Sequence, residues 1–203
     1  MSAQESDSKF IYAKKLDAAE RQLETAIWLW FNDGDLVSIN TLAGAAYNVL
    51  DDLLHHHKKG RAFPIDTPPK GKDPKKWRNS LKQVASFAKH ARIDPGAVEV
   101  YDVEGTALFL FFVLLANVKM IGKGKIHGLR SLFALWFRIR NPEPAFDVPS
   151  SIKIGQKLVE IDRLKKLSRA EFFQEFGGEF VGNPPRPNWR DFPAHKALAS
   201  KFP

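Results

Sequence analysis

A chain of 203 residues, 44% of them hydrophobic, can bury a real core as one domain, and with no cysteine it excludes disulfide staples, thiol nucleophiles, cysteine zinc sites and iron–sulfur clusters. The formal charge of +8 is unevenly placed: from Lys58 to Arg92 eleven Lys or Arg face only Asp66 and Asp73, so this segment carries +9 and the rest of the chain −1. A concentrated positive field draws phosphates, RNA, DNA or an acidic protein whatever the fold beneath it.

The opening "MSAQESDSKF" is polar and contains acids, without the basic patch and apolar run of a secretory signal, so a cytoplasmic protein is expected. Leu16, Ala19, Leu23, Ile27 and Trp30 then recur at helical spacing, and the first predicted helix runs to about Phe31, with Asp17, Glu20, Gln22 and Glu24 read as exposed on its other faces. After the break "NDGD", Ile39, Ala43, Ala46, Leu50 and Leu53 mark a second amphipathic helix that ends near "HHHKKG". Two such helices joined by a short turn make an antiparallel hairpin.

Residues 59–74, rich in proline and glycine among positive charges, read as a loop. A third helix is predicted from about Pro74, with Trp77, Leu81, Val84, Ala88 and Ala91 as its core stripe. Lys75, Arg78, Lys82 and Lys89 form a basic stripe beside it, and His90 shares a polar face with Asn79, Gln83 and Ser86. Asp94-Pro95-Gly96 places Pro and Gly as a type II turn requires and ends that helix. Residues 97–101, "AVEVY", read as a short extended stretch.

The next helix, about 103–121, is apolar nearly all round, which predicts a central helix with Phe109, Phe112 and Leu115 almost fully buried. Its longest apolar run, Ala107 to Ala116, is about half of the ~20 residues that span a bilayer, so no membrane partner is expected. Ile126, Leu129, Phe133 and Trp136 mark a fifth helix closing at Asn141-Pro142, and Ile154, Leu158 and Ile161 suggest a sixth. Ser168 with Glu171 reads as a capping box opening a short seventh helix that carries Phe172, Phe173 and Phe176 and stops at Gly177-Gly178. The expected architecture is an all-α, single-domain bundle of about six to seven helices over residues 1–180, with an extended Pro-rich tail over 181–203.

Four features could carry chemistry. Lys89, His90 and Arg92 could form an anion or phosphodiester site with His90 as acid or base, although a helix C-terminus favours the same residues through its dipole. His55, His56 and His57 invite a metal reading, but their positions on the helical wheel diverge, and no metal and no cofactor are expected. "KMIGKGKIHGLR", residues 119–130, lacks phosphate-loop spacing and reads as an interhelix turn rather than an anion nest. The fourth is the spacing Arg190-x4-His195 in the tail, interrupted by Pro193.

Residues 15–53, "KLDAAERQLETAIWLWFNDGDLVSINTLAGAAYNVLDDL", resemble the opening of an uncharacterised bacterial all-helical family, and "SFAKHARIDP" and "LWFRIRNPE" are similar to its later blocks, so the likeness covers about residues 14–145. It departs at Asn40, where the family has His, and at Ser86 and Ala88; the resemblance implies that any polar site shared through those positions is incomplete here. The two-helix start is also similar in rhythm to HEPN-type domains, whose nuclease members carry Arg-x4-His on a helix rather than in a tail.

These readings converge on a non-catalytic interaction module whose basic face, with Lys75, Arg78, Lys82, Lys89 and Arg92 as the anion-binding set, meets an anionic partner such as nucleic acid. The alternative is a HEPN-like ribonuclease or other metal-independent hydrolase using His90, so the sequence leaves open whether the chain is an enzyme. A homo-oligomer whose basic face meets acidic residues of another copy is the third reading.

Overall fold

The computed structural model describes residues 13–60, 62, 73, 96, 98–122, 126–142 and 150–181. The third predicted helix and the C-terminal tail lie outside the described residues. Those described are largely all-α. Six helices, α1 (Lys15–Phe31), α2 (Leu36–His56), α3 (Val103–Ile121), α4 (Leu129–Arg140), α5 (Ile161–Lys166) and α6 (Arg169–Val181), accompany one hairpin of β1 (Ser151–Ile154) and β2 (Lys157–Glu160).

The α1–α2 hairpin follows from local chemistry. Gly34 N–H donates to Leu29 O at 2.8 Å, the six-to-one bond of a Schellman ending, with Asp33 in the left-handed region at φ 50°. Asp35 then caps α2, its carboxylate accepting from Ser38 N–H at 2.8 Å. Asp102 does the same for α3, accepting from Gly105 N–H at 2.7 Å.

α1 packs against α2, α3, α4 and α6. Its Leu23, Ile27, Trp30 and Phe31 are completely buried, so the most enclosed part of the core runs along this helix. Phe31 stacks on Phe172 and Phe173 at centroid distances of 6.3 and 5.4 Å and meets Phe133 and Trp136 edge-on, which locks α6 and α4 against the C-terminal half of α1. Asn40 is buried and bridges α2 to α3, donating to Thr106 Oγ1 and to Leu36 O, both at 2.8 Å.

α3 packs on α1, α2 and α4. Phe109 is buried as expected, but Phe112 is only partly buried and Leu115 is 43% exposed, since the described neighbours do not enclose that side of the helix. Among the described residues this is the one helix long and apolar enough to cross a membrane by length and composition, and nearly half of it is buried within the bundle.

Two further expectations are corrected. The sixth predicted helix, built on Ile154, Leu158 and Ile161, is instead an antiparallel hairpin pairing Ile152 with Val159 and Ile154 with Lys157. Residues 151–154 alternate polar and apolar, and Gly155 at φ 57° occupies the first position of the two-residue turn, where a primed turn favours glycine. Leu158, counted as core in the helical reading, is 75% exposed, while Val159 faces inward and is buried. The capping box at Ser168 and Glu171 forms as predicted, with reciprocal bonds of 2.7 and 3.2 Å. However, α6 continues through Gly177 and Gly178 to Val181, and neither glycine takes a positive φ. Packing of Phe180 and Val181 on the core offsets the roughly 1 kcal/mol that a helical glycine costs against alanine.

Candidate functional site

Four helix ends meet around a cleft of about 500 Å³ lined by Trp30 and Asp33 at the end of α1, Val103, Glu104 and Ala107 at the start of α3, Trp136, Arg140 and Asn141 at the end of α4, and Ser168 and Arg169 at the start of α6. The helix spacing that buries Trp30 and Trp136 also stacks them edge-on, 5.5 Å between centroids, so the two indoles form the floor. Each carries an arginine: the Arg169 guanidinium lies 4.2 Å from the Trp30 ring centroid and that of Arg140 lies 5.0 Å from Trp136.

The hydrogen bonds of these arginines are partial. Arg169 pairs through Nη2 with Asp33, and Arg140 donates through Nη2 to Leu167 O. Trp30 Nε1, Trp136 Nε1, Arg140 Nε and Arg169 Nη1 are buried and have no hydrogen-bond partner among the described residues. No carboxylate pairs with Arg140 among those residues either, and burial lowers its pKa from the usual arginine value. Sequence reading missed this cluster because residues 30, 136, 140 and 169 come from three helices. The available signal was a tryptophan four residues before an arginine at the end of a helix.

A second polar cluster sits at the opposite end of α4. Arg130 donates through Nη1 to Glu20 Oε1 and to Asn117 Oδ1, both at 2.7 Å, and its Nε lies 3.0 Å from Glu24 Oε1. Glu20 and Glu24, read from the sequence as exposed, have side chains only 16% and 14% exposed. Arginine on a facing helix draws them inward. Burial pushes the Glu24 carboxyl above its ordinary pKa; the Arg130 charge opposes that shift and the neighbouring Glu20 charge reinforces it.

The sequence-selected sites fall elsewhere. Lys75, Arg78, Lys82, Lys89, His90 and Arg92 lie outside the described residues, as do Arg190 and His195. His55, His56 and His57 are exposed at the end of α2, and Asp51, their neighbour on that helix, accepts from Ala62 N–H at 2.8 Å. No group of three or more His, Asp or Glu among the described residues could hold a metal ion. Gly128, within the glycine and lysine turn before α4, takes φ 60° as the N-cap, and a Cβ there would meet Val181 Cγ1 at 3.2 Å. No protein-family model, curated protein or solved structure matches the chain.

Proposed function

We propose that this chain is a non-catalytic interaction module whose basic segment, residues 58–92, binds an anionic partner, with nucleic acid as the partner its charge best suits. The observation that carries this reading is segregation of charge: the segment holds +9 of a total of +8, leaving −1 elsewhere. In the described fold outside it, most arginines meet acids, Arg21 with Asp17, Arg130 with Glu20 and Glu24, Arg163 with Glu175, and Arg169 with Asp33, with Arg140 an exception. A segment with eleven cations and two acids has too few internal partners for the same treatment. Lys75, Arg78, Lys82 and Lys89 recur at spacings expected to set them along one side of a helix, a row suited to successive phosphates on one backbone.

Titration of a fluorescently labelled oligonucleotide at two salt concentrations tests the reading. Affinity should fall steeply with salt, with a slope of about −0.9 per neutralised phosphate on duplex DNA and about −0.7 on single strands. Lys82→Glu with Lys89→Glu should abolish binding while the helical circular dichroism is unchanged. Binding that is absent at low salt, or indifferent to both reversals, overturns the nucleic-acid reading. Cleavage of the oligonucleotide that is lost in His90→Ala replaces it with the hydrolase reading.

A further inference from the structure

We infer that the cleft between the ends of α1 and α4 and the starts of α3 and α6 is a binding site for a small organic acid: a singly charged carboxylate on an apolar body. This assignment does not rest on the reading of the basic segment.

Leftover hydrogen-bonding capacity is the first argument. A buried polar group without a partner is costly, so each one calls for an explanation. Among the described residues, four of the buried side-chain atoms without a hydrogen bond, Trp30 Nε1, Trp136 Nε1, Arg140 Nε and Arg169 Nη1, belong to side chains lining one cleft; others lie elsewhere, such as Arg130 Nε, which has Glu24 Oε1 at 3.0 Å. Trp30 is completely buried and Trp136 is 6% exposed. All four are donors, and an indole N–H can do nothing but donate. Two guanidinium groups and two indoles on the lining favour a ligand that carries acceptors, and a carboxylate offers two oxygens with about four acceptor sites.

Charge narrows the choice among acceptors. Over the described lining Arg140 and Arg169 are balanced by Asp33 and Glu104, but not locally. Asp33 is committed to Arg169, and among the described residues no acid pairs with Arg140. One negative charge beside Arg140 completes the pairing, whereas a phosphate dianion would bring a second charge towards Asp33 and Glu104. The planar fork of arginine also matches the two oxygens of a carboxylate.

The rest of the lining suits the body of such an acid. Trp30, Trp136, Val103 and Ala107 supply apolar wall, and about 500 Å³ lies within the range of small-molecule pockets. The cleft formed by Lys157 to Glu160, Arg163 and Glu175 shows the contrast. There Arg163 is held by both carboxylate oxygens of Glu175, at 2.9 and 2.7 Å, and has no comparable excess of donors.

The test uses the full-length protein labelled with nitrogen-15, following the indole N–H resonances of Trp30 and Trp136, assigned through Trp30→Phe and Trp136→Phe. Phenylacetate and hexanoate are the probes, with phenylacetamide as the uncharged isostere and inorganic phosphate as the competing anion. The expected result is a saturable shift of both indole resonances with at least one of the two acids at millimolar concentration. Phenylacetamide and phosphate should each bind more weakly by about tenfold or more, which is about 1.4 kcal/mol. Arg140→Gln should weaken the acid by a similar factor. No saturable shift with either acid, equal binding of the amide, or tighter binding of phosphate overturns the assignment. These comparisons are made on the unaltered protein, so they hold even if Arg140→Gln disturbs the fold. None of the described lining residues belongs to the basic segment, and the oligonucleotide and acid titrations are separate measurements, so the two can fail separately.

Discussion

Each end of α4 carries an arginine, and the fold uses the two in opposite ways. Arg130, in the first turn, meets Glu20, Glu24 and Asn117 within 3.0 Å, so α1, α3 and α4 consume its charge internally. Arg140, in the last turn and about 15 Å further along the helix axis, meets a backbone carbonyl and an indole face, and its Nε has no partner. Both arginines keep a buried Nε without a hydrogen-bond partner, so that feature does not distinguish them. Their charge partners do: Arg130 lies within 3.0 Å of two carboxylates, whereas no acid pairs with Arg140 among the described residues, and that separates a structural cation from one able to meet an anionic ligand.

The sharpest way to break this comparison is to remove Arg130. Its loss would leave two carboxylates facing each other in a site where their side chains are 16% and 14% exposed. Deleting one partner of a buried ion pair costs about 3–5 kcal/mol, much of it from the charge left behind. Arg130→Ala should therefore lower unfolding free energy in urea by that amount, and adding Glu20→Gln and Glu24→Gln should recover part of it. A loss near zero would mean that the cluster is solvated and that the two ends of α4 are alike.

Removing Arg140 should cost far less. Its described interactions are one hydrogen bond to Leu167 O and a cation–π contact with Trp136, each worth on the order of 1 kcal/mol, and it has no acid partner to strand. Arg140→Ala should lower stability by about 1 kcal/mol in the same urea titration. A loss equal to that of Arg130→Ala would make Arg140 a structural cation, and the comparison between the two ends would collapse.

The same contrast explains what could be read from the sequence. Leu23, Ile27 and Trp30 are core in both pattern and structure because helical periodicity reports which face must leave water. Ser168 and Glu171 announced a helix start because a capping box is complete within four residues. Residues 151–160 read as a helix because Ile154, Leu158 and Ile161 satisfy the helical period; the hairpin instead follows the alternation of residues 151–154 and the positive φ of Gly155. Glu20 and Glu24 looked like an exposed face because Arg130 is more than a hundred residues away in sequence. The cleft was invisible for the same reason. Each of its arginines looks ordinary until four helix ends are brought together.

The smallest expected effect is a slope, and it probes how well Arg130 compensates Glu24. The folded-state pKa of Glu24 lies above the ordinary 4.5, because burial and the Glu20 charge outweigh the attraction of Arg130. A raised acid pKa means that the folded state holds this proton more tightly than the unfolded state. The group therefore favours folding most below its unfolded pKa, and that contribution is lost as pH rises through the raised folded value. Glu24→Gln has no such proton to lose. Its stability relative to the wild type should increase as pH climbs through this window and level off above it. Asp35 and Glu171, whose pKa values are lowered by their capping hydrogen bonds, give slopes of the opposite sign, but both proteins contain them and subtraction removes them. Urea titrations of the two proteins at a series of pH values read the difference directly. A difference that shrinks with rising pH would mean that Arg130 more than compensates the burial of Glu24, and the internally satisfied end of α4 would then be a net source of stability above the carboxylate range.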